Sequence, residues 1–303
     1  MRASLLQMAI DEGESVDSRR ERVSALVRAE AGAADLVVLP ELWTTGAFAF
    51  EEFGRAAEPL TGPTYQAMAE AAADAGVWLH AGSIPEWDPA PGGTSGDAGG
   101  DAEGDGGDDG GDGGVAARDG GDAARDDGGT LYNTSLVFSP SGELAAAYRK
   151  IHRFGFDKGE AVLMGAGREL VTVRLPETVI GVATCYDLRF PELFRGLVDA
   201  GAETLVIPAG WPERRRGHWT LLAQARAVEN QAFVLACGTA GTHAGVPQAG
   251  HSIVVGPWGD VLAEAGGGEE VLRVEFDPAA VARTREQFPA LKDRVLGVAA
   301  PGR

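Results

Sequence analysis

Three apolar segments of this chain each lead to a side chain that can take part in a reaction. The run 36–39 is followed by Pro40 and Glu41, the run 144–149 by Lys150, and the run 179–184 by Cys185. Short apolar runs of this kind are typical of strands that are covered on both faces. Open α/β sheets bind their ligands at the ends of such strands. We therefore expect an α/β fold in which Glu41, Lys150 and Cys185 meet at one site.

The segment around Cys185 predicts a tight turn from a strand into a helix. Pro191 suits the first turn of a helix, and Glu192 is an acid where a helix N-terminus favours one. A turn of this kind lifts a nucleophile out of a sheet, and the N–H groups that follow, beginning with Tyr186, can stabilise an oxyanion. A free cysteine is more often a small core residue, so Cys185 alone decides nothing.

The three segments together resemble the nitrilase, or carbon–nitrogen hydrolase, superfamily. The matching motifs are LPELW at 39–43, YRKIH at 148–152 and CYDLRFPE at 185–192, in that order. The resemblance runs from residue 4 to about residue 295 and is interrupted by one insert. It implies a four-layer αββα sandwich, which the periodicity of the chain does not show by itself.

The residue types agree with the catalytic triad that the resemblance implies. A cysteine thiol is mostly protonated at neutral pH, so it needs a base, and Glu41 is the natural one. Lys150 and the N–H of Tyr186 would then hold the oxyanion formed from the attacked carbonyl. Taken alone, Glu41 could be a buried acid that pairs with an arginine, and Lys150 could be an exposed lysine at a strand end.

A fourth catalytic residue is expected in the loop 152–167, where the superfamily often has a second glutamate. Glu160 is the best candidate, and the alternative is Asp157 or no residue at all. This chemistry requires no metal and no organic cofactor. The five histidines lack metal-binding spacing, and the acidic insert lacks the spacing of a calcium loop.

Two more side chains are candidates for substrate binding, together with Tyr186. Arg189 either receives a substrate carboxylate or pairs with Asp187 or Glu192 to stiffen the turn, and the pairing is the favoured interpretation. Trp211 follows another strand end, at 204–208, and either lines the pocket or belongs to the core.

The sequence CYDLRFPE at 185–192, which spans the turn after Cys185, resembles the amidase branch of the superfamily, which includes the ω-amidases. We call this turn the elbow. The expected reaction is hydrolysis of a non-peptide C–N bond in a small amide, with release of ammonia and a carboxylic acid. Leu188 occupies a position where the carbamoylase branch tends to have a second arginine, which disfavours an N-carbamoyl amino acid amidohydrolase without excluding it. A nitrilase on the same triad is a further alternative. A binding protein without activity would not need all three residues.

The 303 residues suit one carbon–nitrogen hydrolase domain spanning 1–303, interrupted by a Gly/Asp-rich insert at 88–129. This insert is predicted to be disordered and to connect two strands of a hairpin, 77–84 and 131–138. Residues 92–129 hold eleven acids and two arginines, a net of −9 within a chain total of −19. About half of the acidity is therefore local and says little about the substrate.

Partners and location follow from what the sequence contains. No basic patch stands out for nucleic acid, and no apolar run approaches the ~20 residues of a membrane span. A nucleophilic thiol needs a reducing compartment, so a cytoplasmic location is expected. We also expect a homodimer or a higher homo-oligomer, as is typical of the superfamily, with the helix after Pro191 and the tail 288–296 at the interface.

Overall fold

The computed structural model describes residues 1–90 and 128–296, and the elements below belong to those ranges. The strands are β1 (Arg2–Gln7), β2 (Leu36–Val38), β3 (Trp78–Asp88), β4 (Thr130–Phe138), β5 (Leu144–Arg149), β6 (Thr172–Arg174), β7 (Val179–Val182), β8 (Thr204–Ala209), β9 (Phe233–Gly238), β10 (Thr242–His243), β11 (Val246–Pro247), β12 (Ile253–Val255), β13 (Val261–Glu264) and β14 (Glu270–Glu275). The helices are α1 (Val16–Arg28), α2 (Pro63–Ala75), α3 (Glu160–Leu163), α4 (Pro191–Asp199), α5 (Arg216–Asn230) and α6 (Ala280–Gln287).

Twelve of these strands form two six-stranded sheets with the same plan, and β10 and β11 pair with each other in a small third sheet. The first has the order β14-β1-β2-β3-β4-β5 and the second β13-β12-β9-β8-β7-β6. In each, a parallel trio (β1, β2 and β3, or β7, β8 and β9) is flanked by antiparallel strands. The parallel strands are buried on both faces, which explains why they appear in the sequence as uninterrupted apolar runs.

Three cores lie between four layers, which confirms the predicted αββα sandwich. The inner core joins the two sheets through residues such as Leu5, Val38, Val182 and Leu235. One outer core joins α1 and α2 to the first sheet, and the other joins α4 and α5 to the second. All three cores are made of fully or almost fully buried apolar side chains, so each sheet is covered on both faces.

The strands on either side of the insert pair as the predicted hairpin, but β3 is longer than expected. It continues past residue 84 to Asp88, which lies opposite Thr130 in the antiparallel ladder of β3 and β4. The predicted insert at 88–129 therefore begins too early at Asp88, because this residue is part of the ladder. The prediction of disorder falls on 91–127, which lie outside the described residues.

Helix α2 begins and ends where its sequence signals place it. Pro63 opens the helix, and Gly76 closes it in a left-handed conformation with φ 65°. Helix α5 begins three residues before the predicted Trp219, at Arg216.

The expectation that part of the apolar set on α4 is left exposed for a partner is wrong. Leu193, Phe194 and Leu197 are buried against the chain's own second sheet and α5, and Val198 is buried as well. The helix presents no apolar face for a partner because its whole apolar stripe is used within the subunit.

None of the helices in the described part of the chain is both long and apolar enough to cross a membrane.

Candidate active site

Cys185 lies on a sharp turn between β7 and α4. Its backbone has φ 47°, in the left-handed region that a non-glycine residue rarely adopts. The residues Cys185–Arg189 form a short 3₁₀ turn before α4 begins at Pro191. Strain at a residue held by its surroundings is typical of functional sites, and this geometry is that of a nucleophile elbow.

Asp187 anchors this turn to the neighbouring sheet. Its carboxylate accepts hydrogen bonds from the Thr184 N–H at 2.9 Å and from the Tyr148 hydroxyl at 2.7 Å. It also lies 2.7 Å from Nδ1 of His152. Tyr148 belongs to β5, the strand that leads to Lys150. The bonds therefore tie the position of Cys185 to that of Lys150.

Glu41 is placed by a close approach between two chain segments. A Cβ atom on Gly82 would lie 1.9 Å from the carbonyl oxygen of Pro40, so only glycine fits at that point of β3. The Leu42 N–H then donates to the Ser83 hydroxyl at 3.0 Å. These contacts turn the chain directly after β2 and direct the Glu41 side chain into the site.

Lys150 lies between two carboxylates at the bottom of the site. Its Nζ is 2.7 Å from Oε1 of Glu41 and 2.6 Å from Oε2 of Glu160. Asn133 in β4 donates from Nδ2 to both acids, at 2.9 Å and 2.6 Å. We call these four residues and Cys185 the site floor, and each side chain of the floor is buried.

The floor determines the charge of its own members. Burial raises the pKa of the Cys185 thiol well above its ordinary value, and the negative charge of Glu41 raises it further. Burial lowers the pKa of Lys150, but the charges of Glu160 and Glu41 outweigh that effect and raise it well above its usual range. The resting floor therefore holds a neutral Cys185 thiol beside the ammonium group of Lys150.

Above the floor, a cavity with about 360 Å³ of empty space opens to solvent. We call the side chains around its outer part the site mouth: Phe48, Phe154, Tyr186, Arg189, Trp211 and Arg215. The Arg189 guanidinium lies 4.9 Å from the Trp211 ring centre, and that of Arg215 lies 5.4 Å from the Phe154 ring centre. The mouth thus combines aromatic walls with two cations.

A second close approach, between Gly210 and Ala47, places the turn after β8 next to the floor. Gly210 follows β8, and a Cβ atom there would lie 2.4 Å from the Cβ of Ala47. Without that atom the Gly210 N–H reaches Oε2 of Glu41 at 2.9 Å, and its carbonyl lies 3.6 Å from Sγ of Cys185. Gly210 therefore contacts both the proposed base and the proposed nucleophile.

The structure brings all seven residues singled out from the sequence to this one cavity: Glu41, Lys150, Glu160, Cys185, Tyr186, Arg189 and Trp211. Glu160 lies on the first residue of α3 rather than in a loop. Trp211 lines the cavity and also packs in the outer core, so both positions considered for it from the sequence are found.

The favoured interpretation of Arg189 is wrong. Among the described residues Arg189 forms no ion pair with Asp187 or Glu192: Asp187 is bonded to Tyr148, Thr184 and His152. Arg189 instead lies 3.3 Å from Nδ1 of His218 and stacks over Trp211.

Four residues of the site were not identified from the sequence: Phe48, Asn133, Phe154 and Arg215. Asn133 had a signal, because it is a polar residue at an inward-facing position of a predicted strand. Arg215 also had one, because it lies in a run of arginines that follows a strand end.

Within residues 1–90 and 128–296, no group of three or more histidine, cysteine or acidic side chains is arranged to hold a metal ion.

Comparison with known proteins gives a consistent result. The carbon-nitrogen hydrolase family model matches residues 2–105 and 111–286. The chain is 37% identical to a 2-oxoglutaramate amidase of Paenarthrobacter nicotinovorans over 95% of this chain and 87% of that protein. It is 31% identical to the omega-amidase NIT2 of Homo sapiens over 97% of this chain and 94% of that protein. Among solved structures, the CN-hydrolase superfamily protein XC1258 of Xanthomonas campestris is similar with a TM-score of 0.79, at 29% identity and 99% coverage of both chains.

Proposed function

The chain belongs to the carbon-nitrogen hydrolase family and is an amidase that acts on non-peptide C–N bonds, and from that premise we propose that its substrates are small ω-amides carrying a carboxylate. The observation that supports this most is the pair of guanidinium groups, Arg189 and Arg215, in the same cavity as Cys185. The relatives named for 2-oxoglutaramate and for ω-amides suggest the same substrate class.

The two arginines suit an anion because no carboxylate among the described residues forms an ion pair with either of them. Arg189 has His218 and the Trp211 ring as neighbours, and Arg215 has the Phe154 ring. Burial lowers the pKa of Arg215, and the charges of Arg214 and Arg189 lower it further. A substrate carboxylate would relieve this crowding of positive charge and accept charge-assisted hydrogen bonds.

We propose that the first chemical step begins with transfer of the Cys185 thiol proton to Glu41. The Sγ electron pair forms a bond to the amide carbon, and the carbonyl π electrons move to the oxygen. Lys150 and the Tyr186 N–H stabilise that oxyanion. When the C=O bond re-forms, the C–N bond breaks, and Glu41 returns its proton to the nitrogen, which leaves as ammonia.

The second half of the reaction uses the same groups on the thioester. Glu41 takes a proton from a water molecule while the water oxygen bonds to the thioester carbon, giving a second oxyanion beside Lys150. The C–S bond then breaks, and the Cys185 sulfur recovers the proton from Glu41. The products are a carboxylic acid and the free enzyme, so no oxidant, reductant or metal takes part in either step.

Glu160 supports this cycle by balancing the charge of Lys150. Its Oε2 is 2.6 Å from the ammonium group and 2.8 Å from the Phe154 N–H. An ammonium group next to Glu41 alone would hold that carboxylate strongly and weaken it as a base. We propose that sharing Lys150 with Glu160 leaves Glu41 basic enough to take the thiol proton.

We also propose that the chain forms one catalytic domain that assembles as a homodimer or higher homo-oligomer in the cytoplasm. An apolar surface supports assembly: Leu221 and Val228 on α5 are 64% and 52% exposed, and Trp258 and Phe288 beside them are 53% and 58% exposed. An exposed patch of large apolar groups is typical of a protein interface. A reducing compartment would keep the Cys185 thiol available.

The alternatives on the same triad have less support from the mouth. Leu188, which stands where the carbamoylase branch tends to have an arginine, is fully buried in the outer core. It cannot contribute to recognition of a carbamoyl amino acid. The elbow therefore gives the mouth one arginine, Arg189, and the turn after β8 supplies the other.

Ammonia release from a panel of substrates tests the proposal. The panel pairs each ω-amide of a dicarboxylic or 2-oxo dicarboxylic acid with an uncharged amide of equal length, and adds N-carbamoyl amino acids and nitriles. We expect the carboxylated amides to have a kcat/KM at least about ten-fold higher than their uncharged partners, as one charge-assisted contact would supply. Equal rates for both members of each pair, or a preference for the carbamoyl compounds or nitriles, would contradict the proposed substrate class. Cys185→Ala is the control for contaminating activity.

A further inference from the structure

Asn133 contacts both carboxylates of the site floor and the backbone of Lys150, although no reaction step uses it. It lies in the middle of β4, and 3% of its surface is exposed. Its Nδ2 donates to Oε1 of Glu41 at 2.9 Å and to Oε1 of Glu160 at 2.6 Å. Its backbone carbonyl accepts from the Lys150 N–H at 2.9 Å. One side chain thus joins the two carboxylates, and its backbone holds the strand end that presents the lysine.

We infer that Asn133 is a positioning residue for the base: it keeps Glu41 and Glu160 ionised on the two sides of Lys150 and leaves one acceptor position on Glu41 open to the thiol proton. The inference rests on the proposed function, since it takes Glu41 as the base.

The hydrogen bonds of Glu160 show why a donor is needed there. Oε1 accepts from Asn133, and Oε2 accepts from Lys150 and from the Phe154 N–H. All three partners are donors, and hydrogen bonds donated to a carboxylate favour its ionised form over the protonated acid. Burial raises the pKa of Glu160, and the charge of Lys150 and the Asn133 donor oppose that rise. Loss of Asn133 would leave the acid easier to protonate.

The same count on Glu41 identifies the atom that acts as base. Oε1 accepts from both Asn133 and Lys150 and is therefore fully occupied. Among the described backbone and nitrogen donors, Oε2 accepts from the Gly210 N–H alone, at 2.9 Å. Its second lone pair is the open position: the Cys185 thiol is hydrogen-bonded to the Glu41 side chain, and its Sγ lies 3.6 Å from the carbonyl oxygen of the same Gly210. Asn133 and Lys150 together direct the proton to Oε2.

The orientation of the Asn133 amide fits a role in charge rather than in packing. Among the described protein groups, its Oδ1 is buried without a hydrogen-bond partner. The reverse orientation would place Oδ1 against one oxygen each of Glu41 and Glu160, where like partial charges repel. The amide therefore keeps an unpaired acceptor in order to present its N–H groups to the two acids.

Two substitutions of Asn133 distinguish positioning from packing. Asn133→Asp preserves the shape but replaces the donor with a third carboxylate, whereas Asn133→Leu preserves the approximate volume and only removes the donor. A lost donor disfavours the ionised acids, so the acidic limb of kcat/KM should move to higher pH. For Asn133→Leu we expect the acidic limb of kcat/KM to shift by about one pH unit, which is a roughly ten-fold loss of kcat/KM at pH values below the limb. For Asn133→Asp we expect the limb to shift further. A packing role predicts the opposite order.

Ser135→Ala is the matched control, because Ser135 lies two residues along the same face of β4 and bonds to Thr184 rather than to the acids. Its acidic limb should stay where the wild-type limb is. Circular dichroism and thermal melting identify which variants are folded.

Alkylation of Cys185 by iodoacetamide across the pH range gives a readout that needs no substrate. If no amide is hydrolysed by the wild type, the proposed function fails, but the alkylation limb still tests Asn133. An unshifted limb in a folded Asn133→Leu protein, or a wild-type profile in Asn133→Asp, would overturn the inference. So would failure of both variants to fold, because it would assign Asn133 to stability.

Discussion

The floor and the mouth of the site are built on different principles. The floor consists of residues at or within strands, Glu41, Asn133, Lys150 and Cys185, together with Glu160 at the start of α3, and ionic hydrogen bonds of 2.6–2.9 Å hold its acids. The mouth consists of residues in loops and short turns whose two cations meet aromatic rings at 4.9 Å and longer, and its one hydrogen bond between mouth residues joins Trp211 Nε1 to the Arg215 carbonyl at 2.9 Å among the described residues. Charge stability in a buried network requires fixed geometry, whereas substrate choice requires only a wall of suitable chemistry. The difference supports the proposal that the floor carries the reaction chemistry and the mouth the substrate preference.

The strongest test of this division is removal of the nucleophile. Cys185→Ala should lower kcat by a factor on the order of 10⁴ or more, because the covalent step disappears. Cys237→Ala is the matched control: Cys237 is also a buried free thiol, but it lies in β9 against the carbonyls of Leu6 and Val38. Ammonia release at fixed substrate measures both variants. Activity that survives in Cys185→Ala and disappears in Cys237→Ala would reverse the assignment.

The second test removes the base without changing its shape. Glu41→Gln cannot accept the thiol proton at Oε2, so kcat should fall by a factor on the order of 10² to 10⁴. Glu58→Gln is the control, since Glu58 is also buried but accepts a hydrogen bond from the Thr64 N–H at the start of α2. That variant should lower the melting temperature slightly and leave kcat unchanged. If Glu41→Gln retains more than about a tenth of the wild-type kcat, the base must be sought elsewhere.

The mouth should respond in KM rather than in kcat. Arg215→Gln removes one guanidinium from the cavity, and the KM for a carboxylated amide should rise about 10- to 100-fold, as expected for one charge-assisted contact. For an uncharged amide of the same length, KM should change little. Arg214→Gln is the control because Arg214 is the adjacent, exposed arginine and does not line the cavity. Equal effects of both variants, or a loss in kcat alone, would place Arg215 outside substrate recognition.

The same division explains what the sequence could predict. Glu41 and Lys150 follow strands of the first sheet and Cys185 follows a strand of the second, so apolar runs followed by reactive side chains were enough to single them out. The αββα layers followed from resemblance, since apolar runs show that a strand is covered but not by what. Arg215 and Phe154 reach the cavity through loop conformations that no periodicity specifies. Asn133 was missed because the β4 pattern was taken only as evidence for a strand.

Two buried histidines extend the comparison to acid stability. His80 lies in β3, beside the strand that leads to Glu41, and His243 lies 6.0 Å from the ring of Phe48 in the mouth. Burial lowers the pKa of each histidine from 6.5 to about 4. Since the folded state disfavours their protonation, stability is fully present above pH 6.5 and falls as the pH drops towards 4. The slope should approach about 1.4 kcal/mol per pH unit for each group.

Melting temperatures between pH 7.5 and 4.5 measure this effect. His80→Leu and His243→Leu should each make the curve flatter below pH 6.5. Only His243→Leu should also alter KM, because the ring supports Phe48. A His80→Leu protein with the wild-type pH dependence of melting would show that His80 does not titrate in this range.

The smallest effect is expected from the apolar surface on α5, which lies behind the floor. The inner face of α5 carries Arg226, whose Nε donates to the carbonyl of Leu188 in the elbow at 3.1 Å. Its outer face carries Val228 next to Trp258 and Phe288, and an interface there would brace the elbow from behind. Val228→Lys should therefore lower the mass measured by light scattering and reduce kcat two- or three-fold at most, with KM unchanged.

Phe156→Lys is the control: Phe156 is 81% exposed but lies in the loop near the mouth, so the mass should not change. A wild-type mass near the 31.4 kDa of one chain would remove the interface altogether. A mass lowered by Phe156→Lys instead of Val228→Lys would move the interface to the mouth, and assembly would then bear on substrate choice rather than on the nucleophile.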